Sequence, residues 1–343
     1  MDSQRIALDV MGGDDAPRAI LAGALRAISE DAAQRLDPER ILLVGDPDAI
    51  AKGLAELGSD AAFPVRAASQ AIGMDESPAT ALRSKPDSSI ANCVGAVRTE
   101  EAGAIVSMGN TGAMVGAATL GLKTLAGVKR PGIAVTMRLT GNPLTLLDMG
   151  ANIAPKPEHL LQYAIMGSVL MRDVLETPKP RVGLLNIGEE ASKGTDLLKA
   201  AHELLTNSHL EFVGNIEGGD IFSQKSDVII ADGFTGNVVL KLLEGTAAFL
   251  LQMMLGELKS HGVSWAPEAL KNIKRNIDYA EYGGALLLGV GGVVVIGHGR
   301  SDALAVSNAL GLAARAMDNK VNEHIVRGLA RAAEVASEEK GVV

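Results

Sequence analysis

Short apolar runs alternate with longer stretches in which apolar residues return every three or four positions, and this alternation leaves the chain few architectures. The strand-like runs are Arg5 to Val10, Ile41 to Val44, Ala104 to Ser107, Ile133 to Met137, Leu144 to Asp148, Val182 to Asn186, Glu211 to Val213, Val228 to Ala231 and Val293 to Ile296. Helical spacing covers Pro17 to Ser29, Ser88 to Glu100, Ala113 to Leu125, Pro157 to Leu175, Asp196 to Leu205, Gly236 to Leu258 and Asp302 to Asp318. Such alternation implies βαβ units: an α/β fold, with a mostly parallel sheet and helices on both faces. No Pro- or Ser-rich linker divides the chain, so residues 1–343 are read as one domain. A helical hairpin is expected to protrude at about 245–280.

Two of the strand–helix junctions share one design. Ile105 to Met114 lines up with Ile229 to Val238, and each stretch carries Gly-x-Thr-Gly, as Gly109-Asn110-Thr111-Gly112 and Gly233-Phe234-Thr235-Gly236. A helix N-terminus has unpaired N–H groups and the positive end of the helix dipole. It therefore suits an anion, most often phosphate. Either copy alone is as well explained by glycine and threonine starting a helix; the pair favours phosphate or a phosphorylated ligand.

In open α/β sheets, ligands bind beyond the carboxyl ends of the strands. The loops there mix glycine with polar residues: Asp9 to Asp14, Met108 to Gly112, Asp148 to Asn152, Asn186 to Thr195, Asp232 to Asn237 and Gly297 to Asp302. Glycine permits close approach of backbone to ligand. Lys193, next to a helix start, suits an anion, although an exposed lysine is more often a solvated charge. Asp148 and Asp232 follow strands and are expected to orient donors, as is Glu189; Asn152 flanks the same turn as Asp148. His298 sits in a Gly-His-Gly loop.

Composition and motif content remove several function classes. Net charge is −9 and aromatics make up only 3%, which argues against a nucleic-acid partner. Lys193-Gly194-Thr195 reverses the Gly-Lys-Ser/Thr order of a Walker A loop, and the chain has no Gly-x-Gly-x-x-Gly, so nucleotide binding is not indicated. Histidines are scattered and Cys93 is the only cysteine, so neither a metal site nor a cofactor is expected. Cys93 itself reads as core. There is no signal-peptide core at the N-terminus and no run near the ~20 apolar residues of a spanning helix. A cytoplasmic protein follows, with any membrane contact peripheral. The apolar stretch with Met253 and Met254, then Trp265, then basic Lys271, Lys274 and Arg275, fits contact with a membrane or an acidic carrier. Packing in the core or at a dimer interface fits equally well.

Long motifs in order along the chain resemble one family. They are Arg5 to Asp14, Ile72 to Pro78, Gly109 to Ala113, Leu147 to Asn152, Lys156 to Leu161, Val182 to Glu190, Gly214 to Gly218, Asp232 to Asn237 and Tyr282 to Ala285. Together they resemble the bacterial phosphate acyltransferases of phospholipid synthesis. The departures are Leu286, where that family usually has Pro, and Gly291, where Asn is common. The resemblance implies a three-layer αβα sandwich like that of isopropylmalate dehydrogenase. It also implies transfer of a long-chain acyl group from acyl carrier protein to inorganic phosphate. A homodimer working beside a membrane-bound glycerol-3-phosphate acyltransferase is implied as well. Under this reading Lys193, Asn237, Asp232 and Asp148 carry the catalytic work. Gly109, Asn110, Thr111, Gly112, Asn152, Glu189, Gly233, Thr235, Gly236 and His298 bind phosphate or substrate. Rival readings are a short-chain phosphotransacetylase, a dehydrogenase of the isopropylmalate type and a non-catalytic ligand sensor.

Overall fold

The computed structural model describes residues 5–138, 142–263, 270 and 283–340. In chain order the elements are β1 (Ile6–Asp9), α1 (Arg18–Ile28), β2 (Ile41–Gly45), α2 (Pro47–Glu56), β3 (Val65–Ala67), α3 (Pro78–Ser84), α4 (Ser89–Arg98), β4 (Ala104–Ser107), α5 (Thr111–Leu122), β5 (Gly132–Arg138), β6 (Pro143–Leu147), α6 (Pro157–Asp173), β7 (Arg181–Leu185), α7 (Asp196–Thr206), β8 (Glu211–Ile216), β9 (Val228–Ile230), α8 (Gly233–Ser260), β10 (Ala285–Leu288), β11 (Val293–Ile296), α9 (Ala303–Asp318) and α10 (Val321–Lys340). The fold is α/β, with mostly parallel strands flanked by helices. All nine expected strands form. The sequence reading passes over β3 and β10.

The chain sorts into two compact units, Met1–Pro131 with Tyr282–Val326, and Gly132–Glu281 with Arg327–Val343. The sequence reading treats the whole as one domain because no linker composition marks these boundaries. In the first unit the strands run β3-β2-β1-β4-β11-β10. All its pairings are parallel except that of β10 with β11. In the second they run β5-β6-β9-β7-β8, with only the β5–β6 pair antiparallel.

The two units therefore share a plan. Each has an antiparallel hairpin at one edge, next to a strand that leads into a Gly-x-Thr-Gly helix. That strand is β4 in one unit and β9 in the other. The hairpin comes last in the chain order of the first unit and first in that of the second, so the plans are circular permutations of each other.

Burial explains why these runs become strands. Ile6 to Leu8, Ile41 to Val44, Ala104 to Val106 and Val228 to Ile230 are all buried, as expected for parallel strands covered on both faces. Helices α4 and α9 each pack against β1 and β4, and α6 packs against β6 and β9. Where α1 meets α9 the contact runs through Gly23: a Cβ there would lie 2.4 Å from the Cβ of Val306, which is 0% exposed. Gly→Ala inside a helix normally gains up to ~1 kcal/mol. Here overpacking costs about 1–3 kcal/mol and wins. Gly23→Ala should therefore lower the thermal unfolding midpoint; an unchanged or raised midpoint would show that the two helices can separate at no cost.

Candidate active site

In the second unit β6, β9 and β7 are neighbours and parallel, so the loops after them leave from one edge. The first is built around Asp148, which is 0% exposed. Its Oδ1 accepts from the N–H groups of Ile133 (3.0 Å), Gly150 (3.2 Å) and Ala151 (2.9 Å). Its Oδ2 accepts from Asn152 N–H (2.7 Å) and from Asn152 Nδ2 (3.2 Å). Burial pushes the Asp148 carboxyl above the usual range, and these donors pull it partway back. Asn152 Nδ2 also donates to the buried Tyr163 hydroxyl at 2.8 Å.

The start of α8 locks onto this loop. Gly233 N–H donates to Asn152 O at 2.9 Å. A Cβ on Gly233 would lie 2.5 Å from Asn152 O, and one on Gly236 would lie 2.0 Å from Asp148 O. Both glycines are required by this backbone contact rather than by a ligand. One turn on, Asn237 lies over Gly150, whose φ is +127°. The Asn237 side chain is exposed and makes no hydrogen bond among the described residues.

The loop after β7 holds Lys193. Asn186, at the strand end, accepts from Ile187 N–H at 2.8 Å and donates through Nδ2 to Lys193 O at 3.2 Å. The Lys193 ammonium is exposed and has no ion-pair partner among the described residues. Glu189 pairs with Lys225 at 2.8 Å, and Lys225 also pairs with Asp220 at 2.7 Å. These carboxylates, Asp220 first, raise the Lys225 ammonium.

The two Gly-x-Thr-Gly copies start their helices differently. In the first unit Asn110 is the cap of α5, and its Oδ1 accepts from Ala113 N–H at 3.0 Å. In the second the cap is Asp232, whose carboxylate accepts from Thr235 N–H at 2.9 Å and Thr235 Oγ1 at 2.6 Å. Aligned on their glycines, the caps are two positions apart. The α5 start leaves the N–H groups of Thr111 and Gly112 without partners among the described residues. At α8 the Phe234 N–H is the one left open there.

The first unit has its own buried carboxylate beneath such a junction. Asp9 accepts from Ser107 Oγ at 2.7 Å and Met11 N–H at 3.2 Å, and burial raises its carboxyl. A Cβ on Gly12 would lie 2.8 Å from Gly109 N. Asn110 Nδ2 donates to the carbonyls of Gly73 (3.2 Å), Met74 (3.0 Å) and Glu76 (3.0 Å), clasping that loop. His298 is half-buried and its Nδ1 accepts from Arg300 N–H at 3.3 Å.

The family described as Fatty acid synthesis protein matches residues 4–324. A phosphate acyltransferase of Heliobacterium modesticaldum is 47% identical over 332 residues, covering 94% of this chain and 97% of its own. That of Desulforudis audaxviator is 44% identical over 330 residues, covering 95% and 96%. The chain belongs to the phosphate acyltransferase family. Like its family, it is an acyltransferase that moves an acyl group to phosphate. A phosphotransacetylase from Streptococcus pyogenes has a similar fold, with a TM-score of 0.60 at 16% identity, covering 92% of this chain and 94% of that one. A 4-hydroxythreonine-4-phosphate dehydrogenase from Klebsiella pneumoniae is more distant, with a TM-score of 0.51 at 12% identity, covering 90% and 98%.

Asp148 is buried and enclosed by N–H donors, and the half-buried Asp232 caps α8. In these contacts both carboxylates orient donors. Asn110 spends its amide nitrogen on the loop clasp. Glu189 is engaged with Lys225. Lys193, Asn237 and Thr111 are expected residues whose side-chain polar groups have no partner among the described residues. Tyr163 enters the account from structure alone, and Asp9, Asn186 and Asn215, which lie in stretches that the sequence singles out, gain their individual partners only there, because buried partners leave no local spacing signal.

Helix α8 is long and apolar enough, by length and composition, to cross a membrane. The expectation that no stretch comes near this is corrected: Lys241 and Glu244 break the apolar run in sequence without ending the helix. Met253 and Met254 are exposed on it. Trp265, Lys271, Lys274 and Arg275 lie outside the described residues, as does most of the expected hairpin's returning arm. Cys93 is buried, as expected, and burial drives its thiol well above the usual range. Among the described residues no cluster of His, Cys, Asp or Glu could hold a metal ion.

Asp148→Asn would turn an amide donor toward N–H groups that need an acceptor. It should cost about 1–3 kcal/mol of stability, measured by denaturant unfolding. Wild-type stability in this variant would show that the loop does not depend on the carboxylate.

Proposed function

We propose that the protein transfers a long-chain acyl group from acyl carrier protein to inorganic phosphate, giving an acyl phosphate for phospholipid synthesis. The observation that carries this reading is the pair of uncommitted polar groups in the second unit. The Lys193 ammonium stands on the loop after β7 and the Asn237 amide in the first turns of α8 after the neighbouring parallel strand β9, in a family whose members transfer acyl groups to phosphate. Lys193 binds phosphate, with Thr235 and the Phe234 N–H as further contacts. Asn237 faces the oxyanion. Gly233, Gly236 and Asn152 hold these donors in place. In the first unit the Gly109–Gly112 junction offers open N–H groups and the Thr111 hydroxyl to an anion, and His298 follows a strand of the same unit.

The chemistry needs no covalent enzyme intermediate. A phosphate oxygen attacks the thioester carbonyl, the carbonyl oxygen takes up charge, and the C–S bond breaks to release the carrier's thiolate. Holding phosphate against the carbonyl is worth ~7–11 kcal/mol. One oxyanion donor supplies about 2.7–4 kcal/mol. The carrier is acidic, and Lys271, Lys274 and Arg275 would steer its docking. The protein acts in the cytoplasm as a homodimer, with Met253, Met254 and Trp265 at the carrier or membrane contact. Its acyl phosphate is passed to a membrane-bound glycerol-3-phosphate acyltransferase.

The test mixes purified protein, long-chain acyl carrier protein and labelled phosphate, and looks for hydroxylamine-sensitive acyl phosphate. None formed sinks the reading; product from short acyl-CoA alone replaces the donor with a coenzyme A thioester. Asn237→Ala should cut kcat by roughly 10²–10³, and Lys193→Ala should mainly raise the phosphate KM. Near-normal kinetics in both variants would remove these residues from the mechanism.

A further inference from the structure

Loop 187–195 reaches the strand-end edge on a small number of ties. Its first residues are set by Asn186 Oδ1, which accepts from Ile187 N–H at 2.8 Å. The Lys193 N–H donates to Glu190 O at 3.0 Å and closes a turn. Asn186 Nδ2 donates to Lys193 O at 3.2 Å from one side of that turn. Gly194 must be glycine there: its φ is +86°, and a Cβ would lie 2.4 Å from Asn186 Oδ1.

The other side of the turn is held from the next strand. Asn215, near the end of β8, donates through Nδ2 to Glu190 O at 2.9 Å. Asn215 is 6% exposed, and its Oδ1 is buried without a hydrogen-bond partner. Facing a carbonyl fixes which end of the amide is the donor, so the orphaned acceptor is not an inverted amide. A buried acceptor without a donor is a cost, and a hydrocarbon side chain of similar size would avoid it. Asparagine at this position is therefore explained by the Glu190 tether and not by core stability.

We infer that Asn215 is a positioning residue for phosphate, acting through the Glu190–Lys193 turn to aim the Lys193 ammonium. This rests on the reading that Lys193 binds phosphate. Asn215 touches no substrate. It and Asn186, at the carboxyl ends of adjacent parallel strands, grip the turn at Glu190 and at Lys193. Glu189 is tied separately, to the exposed Lys225.

The test is a double-mutant cycle on the full-length protein with inorganic phosphate and long-chain acyl carrier protein. Asn215→Leu should raise the phosphate KM roughly tenfold, by analogy with removing an outer partner of a metal ligand. The acyl-donor KM and the kcat at saturating phosphate should stay within about twofold. The unfolding midpoint should hold or rise, because the orphaned acceptor is gone. In a Lys193→Ala background the same substitution should add no further rise in phosphate KM. Asn215→Ala is read in the same way if the leucine variant does not fold.

A wild-type phosphate KM in Asn215→Leu overturns the inference. So does an equal fold-rise with and without Lys193, or a lowered unfolding midpoint with both KM values raised. If Lys193→Ala itself leaves the phosphate KM unchanged, the assignment of phosphate to Lys193 fails and the inference falls with it. If Lys193→Ala raises that KM and Asn215→Leu does not, only the role of Asn215 fails.

Discussion

The geometry of the second unit's edge depends on one buried carboxylate. Asp148 draws the N–H groups of Ile133, Gly150, Ala151 and Asn152 onto its two oxygens. A buried charge is tolerable only when such donors replace water. Once the loop is wound around Asp148, its backbone becomes the surface on which α8 begins. Gly236 sits on the Asp148 carbonyl and Gly233 on that of Asn152. The helix start is thereby fixed against β6 as well as against its own strand β9, and Asn237 is carried to a set position over Gly150. A residue without access to solvent thus sets where an exposed amide stands.

The repeated Gly-x-Thr-Gly sequences show how far a motif can be trusted. They lie on equivalent strands of two circularly permuted plans, so the likeness reflects architecture. Their electrostatics nonetheless differ. A neutral amide caps α5 and leaves N–H groups open, while a carboxylate caps α8 and uses up part of its positive end. An anion at α8 therefore needs a cation from elsewhere, which places the weight on Lys193.

Much of the fold is legible because buried parallel strands are written as Val/Ile/Leu runs such as Ile41 to Val44 and Val293 to Ile296. Strand β3 escapes notice: it has three residues, partly exposed, with Arg66 at its centre. Strand β10 escapes because Leu286 to Leu288 carries neither alternation nor β-branching. At the site, glycines and strand-end polar residues can be read from sequence. Which of them are already satisfied cannot, since Ile133, Tyr163 and Glu190 are brought to Asp148, Asn152 and Asn215 only by tertiary packing.

The split composition of the first unit has a consequence for synthesis. Its strands β1 to β4 precede the strands of the second unit in the chain, while β10 and β11 follow them. As the polypeptide leaves the ribosome, β4 lacks its β11 neighbour until residues Val293–Ile296 have been made. An unpaired apolar edge is a template for wrong pairing. All the strands of the second unit, β5 to β9, emerge during that wait. The nascent chain must keep the β4 edge out of contact with other strands for the time it takes to make them.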